Sequence, residues 1–433
     1  MIRQTVLPFK VERTKERVTA RSGLVLYGEF MKGMKLEELV GRHMPSPRSG
    51  RGFEAISYIE PLSMMLYGGG EAIEEVREIR EDHPLREAIQ MERIPSSSAM
   101  GDWLGRSGGR GAAAMRRVDE GIAGVVVKRT GAADFTLDVD ATVIEAEKRE
   151  ARMSYLGVKG YRPVVASLKE NGLVLSYEFK EGNENGNGVE ILEKAFEKMR
   201  RMGKGKKIEG VLLDAEYYSH EVMDYLDEEK VRWAIVVDQD EAVKRLIKAI
   251  REGEWRPYKT EEGVMTDREV AETVHAMNQG KSAFRVIVLR WRERQGDLFR
   301  NAYRYHCIAT SIVEETPEEV VWKYNGRGQI ENHIKEIKSG FGMEWMPSGD
   351  FGANAVYFGI GILTYNLFIA QKLLTMPEPW KTKTIKSIRW LLVEIGGKLV
   401  SRSRTMILRI STSLEKIRIY LEMRQRTFEL LQE

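Results

Sequence analysis

Three carboxylates raise the question of chemistry. Asp140 ends the alternating run DFTLDVD, Asp214 ends the apolar run IEGVLLD 74 residues later, and Glu331 follows after a further 117, within GQIENHIK. Carboxylate oxygens suit hard divalent cations such as Mg²⁺. Two such ions about 3.5–4 Å apart clamp the attacking and leaving oxygens of a phosphoryl displacement. Three acids suffice for this if the fold brings them together, but with 65 acidic residues in the chain, position alone singles out none of them. The neighbours of Glu331 narrow the choice. Tyr324, Arg327, Glu331 and Lys338 stand at i, i+3, i+7 and i+14, so on one continuous helix they form a polar stripe beside the apolar Ile330, Ile334, Ile337 and Phe341. A solvated face with a Glu331–Lys335 pair is the plainer reading; it accounts for the charges but not for the tyrosine and the arginine.

These residues need strands and helices to position them. Phe135, Leu137 and Val139 alternate with Thr136, Asp138 and Asp140, a period of two that buries one face and sets both aspartates on the other. Pro163–Leu168 and Leu173–Phe179 flank Glu170-Asn171-Gly172, a hairpin signal. Val189–Met202 reads as an amphipathic helix, Ile208–Leu213 as a strand, a helix starts near Ser219, and Trp233–Val237 is a further strand. Three antiparallel strands followed by helix, strand, helix and strand is the order of an RNase H-like α/β domain, a mixed sheet flanked by helices, here assigned to 126–239 and 311–373. Residues 240–310 interrupt it with a basic helix, EAVKRLIKAIRE, a polar link, and two strands, FRVIVLRWR and YRYHCIAT, around Gln295-Gly296-Asp297: a β-rich insertion. Thr316-Pro317-Glu318-Glu319 then starts a helix with a cap, a proline and a third-position glutamate.

The flanks carry other signals. Residues 1–125 read as short helices forming a DNA-binding region. In it, Ser96, Ser97 and Ser98 begin either the second helix of a helix-turn-helix, facing a DNA groove, or an ordinary serine-capped helix, with equal weight. The segment 374–433 reads as a basic helical tail. The whole chain carries only +3, yet from Trp380 onward 12 Lys and Arg stand against 5 acids. The single cysteine, Cys307, excludes an intrachain disulfide and any cysteine-cluster metal site, and it fits a reducing, cytoplasmic interior rather than secretion. The N-terminus has no unbroken apolar run. Val356–Ala370, at 15 residues, falls short of the roughly 20 that span a bilayer and is predicted as a buried core helix, so no membrane partner is expected.

YNGRGQIENHIKEIK resembles the Y-x2-R-x3-E-x6-K signature of DDE transposases encoded by bacterial and archaeal insertion sequences, the branch with a β-rich insertion before the third acid. DVDATVI resembles that family's first-acid strand, with Thr142 two positions after Asp140, and LLDAEYYS resembles the second-acid strand, with Ala215-Glu216 after the acid. The resemblance covers about Phe135 to Leu367 and implies cut-and-paste transposition. Asp140, Asp214 and Glu331 would hold two Mg²⁺ ions, with Mn²⁺ able to substitute. Tyr324, Arg327, Lys338 and Lys335 would bind phosphates of double-stranded DNA, both transposon terminal inverted repeats and target, in a homodimeric assembly. An insertion-domain aromatic would hold a flipped base; Trp291, between Arg290 and Arg292, is the candidate, against the plainer role of a strand tryptophan on the core. His333 is expected on the helix surface. Two rivals remain: an RNase H-like nuclease that cuts without joining, and a catalytically dead, transposase-derived DNA-binding protein.

Overall fold

The structure is a computed structural model and describes residues 11–47, 52–184, 188–203, 205–292 and 303–432. A short strand β1 (Val18–Thr19) precedes five helices: α1 (Leu24–Gly33), α2 (Leu36–His43), α3 (Ile56–Gly68), α4 (Val76–Glu81) and α5 (His83–Ile89). Next comes α6 (Ser97–Arg129), a long helix broken at Gly108, where φ is +48°. The first half of the central domain holds β2 (Asp134–Ala141), β3 (Ile144–Glu145), β4 (Arg152–Met153), β5 (Lys159–Tyr161), β6 (Val164–Leu168), β7 (Val174–Glu178), α7 (Gly188–Met202), β8 (Lys207–Leu213), α8 (His220–Glu228) and β9 (Arg232–Val236). Beyond them lie α9 (Glu241–Ala249), β10 (Arg256–Lys259), β11 (Met265–Ala276), β12 (Ala283–Arg292) and β13 (Tyr303–Thr310). The second half contributes α10 (Pro317–Asn325), α11 (Gly328–Lys335) and α12 (Phe351–Leu374). The chain continues with α13 (Glu378–Lys381), α14 (Ile385–Ile388), β14 (Gly397–Arg402), β15 (Thr405–Ile410) and α15 (Leu414–Gln432).

Nine strands form the main sheet in the order β10-β11-β12-β13-β9-β8-β2-β6-β7. β2, β8 and β9 are parallel, while β6 and β7 run antiparallel, so the right half has the RNase H-like order predicted from the sequence. The hairpin turns at Gly172, φ +76°, a left-handed conformation that favours glycine. β7 would be an open edge, but the buried Asn366 of α12 covers it: its Oδ1 accepts from the Val174 amide at 2.9 Å and its Nδ2 donates to the Val174 carbonyl at 3.0 Å. α12 itself, Val356–Ala370 included, lies in the interior as predicted, packed on α6 and α3. It is also the only helix among the described residues long and apolar enough to cross a membrane, and its apolar stretch is wholly buried in the protein.

Three departures from the sequence reading stand out. The insertion's strands do not stand apart: β13 pairs with β9 and extends the main sheet, because β9 is apolar on both faces and needs a neighbour. The segment read as a polar link holds β10 and β11. β11 buries only Val270 and Ala271, and its strand conformation comes from eight paired positions on β12 rather than from its own alternation. The turn expected at Gln295-Gly296-Asp297 lies outside the described residues. The C-terminal segment, expected to be helical, also forms a hairpin. β14 and β15 join through Ser403 and Arg404, both at positive φ, and β14 pairs with β1. With α1 packed on α15, one apolar core runs from Leu24 to Leu430.

Candidate active site

The site begins with register. Asp138 pairs with Leu212 and Val139 with Leu213 across the parallel β2 and β8, so Asp140 and Asp214 form the next opposed pair, at the carboxyl ends of strands about 4.8 Å apart. Alternation decides which face they share. Leu137, Val139, Val211 and Leu213 join the main core, while Leu212, Ala234 and Ile308 join a smaller cluster under Val320, Val321 and Tyr324 of α10. The aspartates therefore face α10 and α11. Each holds one oxygen on the following amide: Asp140 Oδ1 accepts from Ala141 at 3.0 Å and Asp214 Oδ1 from Ala215 at 2.8 Å.

Arg327 closes the arrangement from the helix side. Its Nε lies 3.2 Å from Asp138 Oδ1 and its Nη2 3.3 Å from Asp140 Oδ1, and Nη2 also donates to the Val139 carbonyl at 3.2 Å. Tyr324 Oη donates to the carbonyl of Leu213 at 3.0 Å, one residue before Asp214. Lys338 Nζ donates to the Val143 carbonyl at 2.9 Å, just beyond the end of β2. These side chains do not share the single helical stripe that their spacing allows. α10 ends at Asn325, α11 begins at Gly328, and Glu336–Gly340 widens into a π-helical turn. Gly326 and Arg327 keep helical dihedral angles, so Tyr324 and Arg327, three residues apart, share the face toward the sheet and their polar ends rest on protein groups. Glu331 and Lys335 lie on the exposed face of α11, Glu331 one turn beyond Arg327.

The electrostatics follow from burial. Asp138 is 1% exposed and neither oxygen has a hydrogen bond of good geometry. Burial pushes its pKa up to about 8 against the pull of Arg327, with Asp140 adding to the rise. Asp140 is raised by burial as well, Arg327 opposing and Asp214 reinforcing. Burial works against the charge of Arg327, yet Tyr324, Asp140 and Asp138 leave its pKa raised. Three carboxylates thus surround one guanidinium. The oxygen donors of Asp140 and Asp214 suit a hard divalent cation. Among the described residues no group of three His, Cys, Asp or Glu side chains stands close enough together to hold a metal, and Glu331 is exposed on α11.

Other residues fall into place around this centre. Glu216, the nearest competitor of Asp214, is bonded to Arg162. Trp291 is half-buried against the smaller cluster, with the Arg268 guanidinium 4.9 Å from its ring centre. Ser96 caps α6, its Oγ accepting from Ala99 at 3.3 Å; Ser97 is half-buried and Ser98 exposed at the same helix start. His333 is not on the helix surface: its ring lies against Gly172 and burial pushes its pKa down to about 4, because α11 docks on the hairpin turn. Sequence reasoning passed over two neighbours. His306 on β13 sits 6.2 Å from the Tyr324 ring, with its pKa lowered by burial and Arg268 while Asp214 opposes. Lys169, its pKa lowered by burial, donates to the Lys323 carbonyl at 3.0 Å and senses Asp138. The signal for His306 was its two-residue offset from Ile308, which faces α10.

Comparison with known proteins adds three findings. A family model described as "Transposase DDE domain group 1" matches residues 6–431. No curated protein sequence matches the chain. Among solved structures, the chain is similar to the piggyBac transposase in a cryo-EM synaptic complex with hairpin DNA, at 12% identity and a TM-score of 0.46, over 87% of this chain and 80% of that one.

Proposed function

Since this chain belongs to the DDE transposase family, group 1, by a match over nearly its whole length, we propose that the carboxylates at the ends of β2 and β8 serve DNA strand cleavage and strand transfer in cut-and-paste transposition. The observation that carries the reading is the opposition of Asp140 and Asp214 on adjacent parallel strands, with Arg327 against Asp140. Asp140 and Asp214 would hold the divalent ions, two Mg²⁺ or Mn²⁺, and Glu331, exposed on α11, is the third acid that the signature implies. Such ions, when bound, supply charge neutralisation at the phosphate and a lowered pKa for an attacking water.

The chain's own side chains prepare that chemistry. Tyr324 ties α10 to the strand end that presents Asp214, so the helix break and the acid keep a constant relation. Arg327 balances the carboxylates before any ligand arrives and offers a planar fork to a phosphate that displaces it from Asp140. Lys338 fixes the chain leaving β2, which limits the motion of Asp140. In the first step a water oxygen bonds to phosphorus, the bond to the 3′ oxygen breaks, and that oxygen takes up a proton as a 3′-hydroxyl. In the second step this hydroxyl attacks a target phosphodiester, loses its proton, and expels the target's 3′ oxygen. The substrates are terminal inverted repeats and target duplex, brought together on a homodimer.

The test uses DNA from either side of the reading frame. Asp140→Asn and Asp214→Asn are expected to abolish cutting and joining while gel-shift affinity for the element end stays within threefold. Cutting by either variant within tenfold of the unmodified chain removes that residue from the site. Nicking without joined product, under conditions that support both, makes the protein a nuclease; binding without either marks it as a dead relative.

A further inference from the structure

Adjacent antiparallel strands such as β2 and β6 need only a tight turn between them. This chain instead spends residues 142–163 on a lobe whose strands β3, β5 and β4 form a separate three-stranded sheet. The lobe rises from the end of β2, immediately after Asp140, and its base is anchored on both sides of the acid pair. Lys338 holds Val143 on one side. On the other, the buried Arg162 is bonded to Glu216, two residues beyond Asp214, and donates to the Glu184 carbonyl at 3.3 Å.

The tip is apolar and faces solvent. Met153, Tyr155 and Leu156 are 56, 71 and 59% exposed, on a turn closed by the Ser154 amide donating to Val158 at 2.7 Å and by Gly157 at φ +75°. Tyr155 is not a loose side chain, because the Arg162 guanidinium lies 4.9 Å from its ring centre. An unbroken series, Tyr155 to Arg162 to Glu216, therefore links the exposed aromatic to the element that carries Asp214. Lys159 stands opposite Met153 across β4 and β5, Arg152 is paired with Glu181 at 3.5 Å, and Lys148 and Arg149 precede β4, Arg149 paired with Glu150 at 3.0 Å; Glu145 and Glu147 are the other acids of the lobe. Glu150 is engaged with the Phe351 amide at the start of α12, at 2.8 Å.

Adjoining exposed Tyr and Leu side chains on a rigid turn match the flat apolar face of a base, and cations on the rim match the phosphates beside it. The net positive charge of the lobe, five Lys and Arg against three Glu over residues 142–163, favours a polyanion over a second copy of this chain as the occupant.

We propose that the 142–163 lobe is a DNA wedge, in which Tyr155 and Leu156 insert at an opened base step of the duplex whose phosphodiester lies at Asp140 and Asp214, while Lys159 and Lys148 meet the flanking phosphates. The inference rests on the reading of the site as one that acts on DNA. It adds an element that opens the helix there.

The experiment uses the full chain and a duplex of the element end carrying 2-aminopurine beside the cleaved phosphate. The unmodified chain is expected to raise the 2-aminopurine fluorescence on binding. The double variant Tyr155→Ala/Leu156→Ala is expected to lose that rise and to cut the paired duplex about 10- to 100-fold more slowly, the range that loss of a base-stacking side chain gives. Tyr155→Phe should stay within threefold. A mismatch placed at the step should restore cutting by the double variant, because the base no longer has to be unstacked. The proposal fails if the fluorescence does not change with the unmodified chain, if the double variant cuts the paired duplex normally, or if it is equally slow on paired and mismatched DNA. It also fails if the substitutions change only the sedimentation of DNA-free protein, which would make the tip a contact between copies. Failure of the unmodified chain to cut either duplex would overturn the reading of the site itself.

Discussion

Arg327→Ala tests the charge balance at the centre of the site. The guanidinium lies 3.2 Å from one carboxylate and 3.3 Å from another. At an effective dielectric of about 20, each such pair is worth roughly 5 kcal/mol of attraction. The carboxylates can relieve part of the loss by taking up protons, so the net cost is expected to be about 3–5 kcal/mol, the usual range for removing one partner of a buried ion pair. For 433 residues, an unfolding entropy of about 2.1 cal/mol/K per residue amounts to roughly 0.9 kcal/mol/K, so the melting temperature should fall by about 3–6 °C at pH 7. Asp138, its pKa already pushed up to about 8, is mostly protonated at pH 7, so adding Asp138→Asn should recover stability chiefly above pH 8, where its charge would otherwise stand unpaired, a coupling that a double-mutant cycle reads directly. The deficit of Arg327→Ala should also shrink toward pH 5 as the carboxylates protonate. Strictly additive losses, or a deficit independent of pH, would show that Arg327 does not balance these acids and would refute the argument.

Asp119 is buried, accepts from Tyr177 Oη at 2.9 Å, and burial pushes its pKa up to about 8. The folded state therefore binds its proton more tightly than the unfolded chain. Stability from this group is complete below about pH 4 and is lost as pH rises to about 8, so Asp119→Asn should flatten the pH dependence of urea unfolding across that window. Gly172→Ala would place a Cβ 2.8 Å from His333 Nε2 at φ +76° and should cost about 1–3 kcal/mol, measured by thermal melting, by forcing the turn and α11 apart. Removing the basic C-terminal segment is expected to unfold the protein, because it supplies β14 and α15 to the core. Replacing the exposed Arg402, Arg404, Arg409 and Arg418 by Ala instead should leave the melting temperature unchanged and reduce the slope of log K against log salt for DNA by about 0.9 for each one that contacts a phosphate.

The local signals in the chain were strong wherever one residue type forces one conformation. Alternation in DFTLDVD, the Asn171-Gly172 turn and the Thr316 capping box each specify their element from a few neighbours, and the structure bears them out. The strand order of the right half of the sheet was legible for the same reason. Asp140 and Asp214 could be singled out because both end apolar strands. β11 was not legible, since polar residues on both of its faces carry no period and only β12 makes it a strand. The hairpin in the C-terminal segment was hidden by its surplus of basic residues, which report solvent exposure and say nothing of backbone conformation.

Residue types and spacing in the chain determined that this protein carries carboxylates at strand ends beside a tyrosine, an arginine and a lysine. Which of those groups touch was decided in three dimensions. Tyr324 reaches the Leu213 carbonyl and Arg327 reaches Asp138 and Asp140, while Glu331, one turn on, is exposed. A spacing of three, seven and fourteen residues fixes a common face only for an unbroken helix. Gly326 and Gly328 already weaken that helix in the sequence, and the sheet beneath it decides which of its side chains are buried.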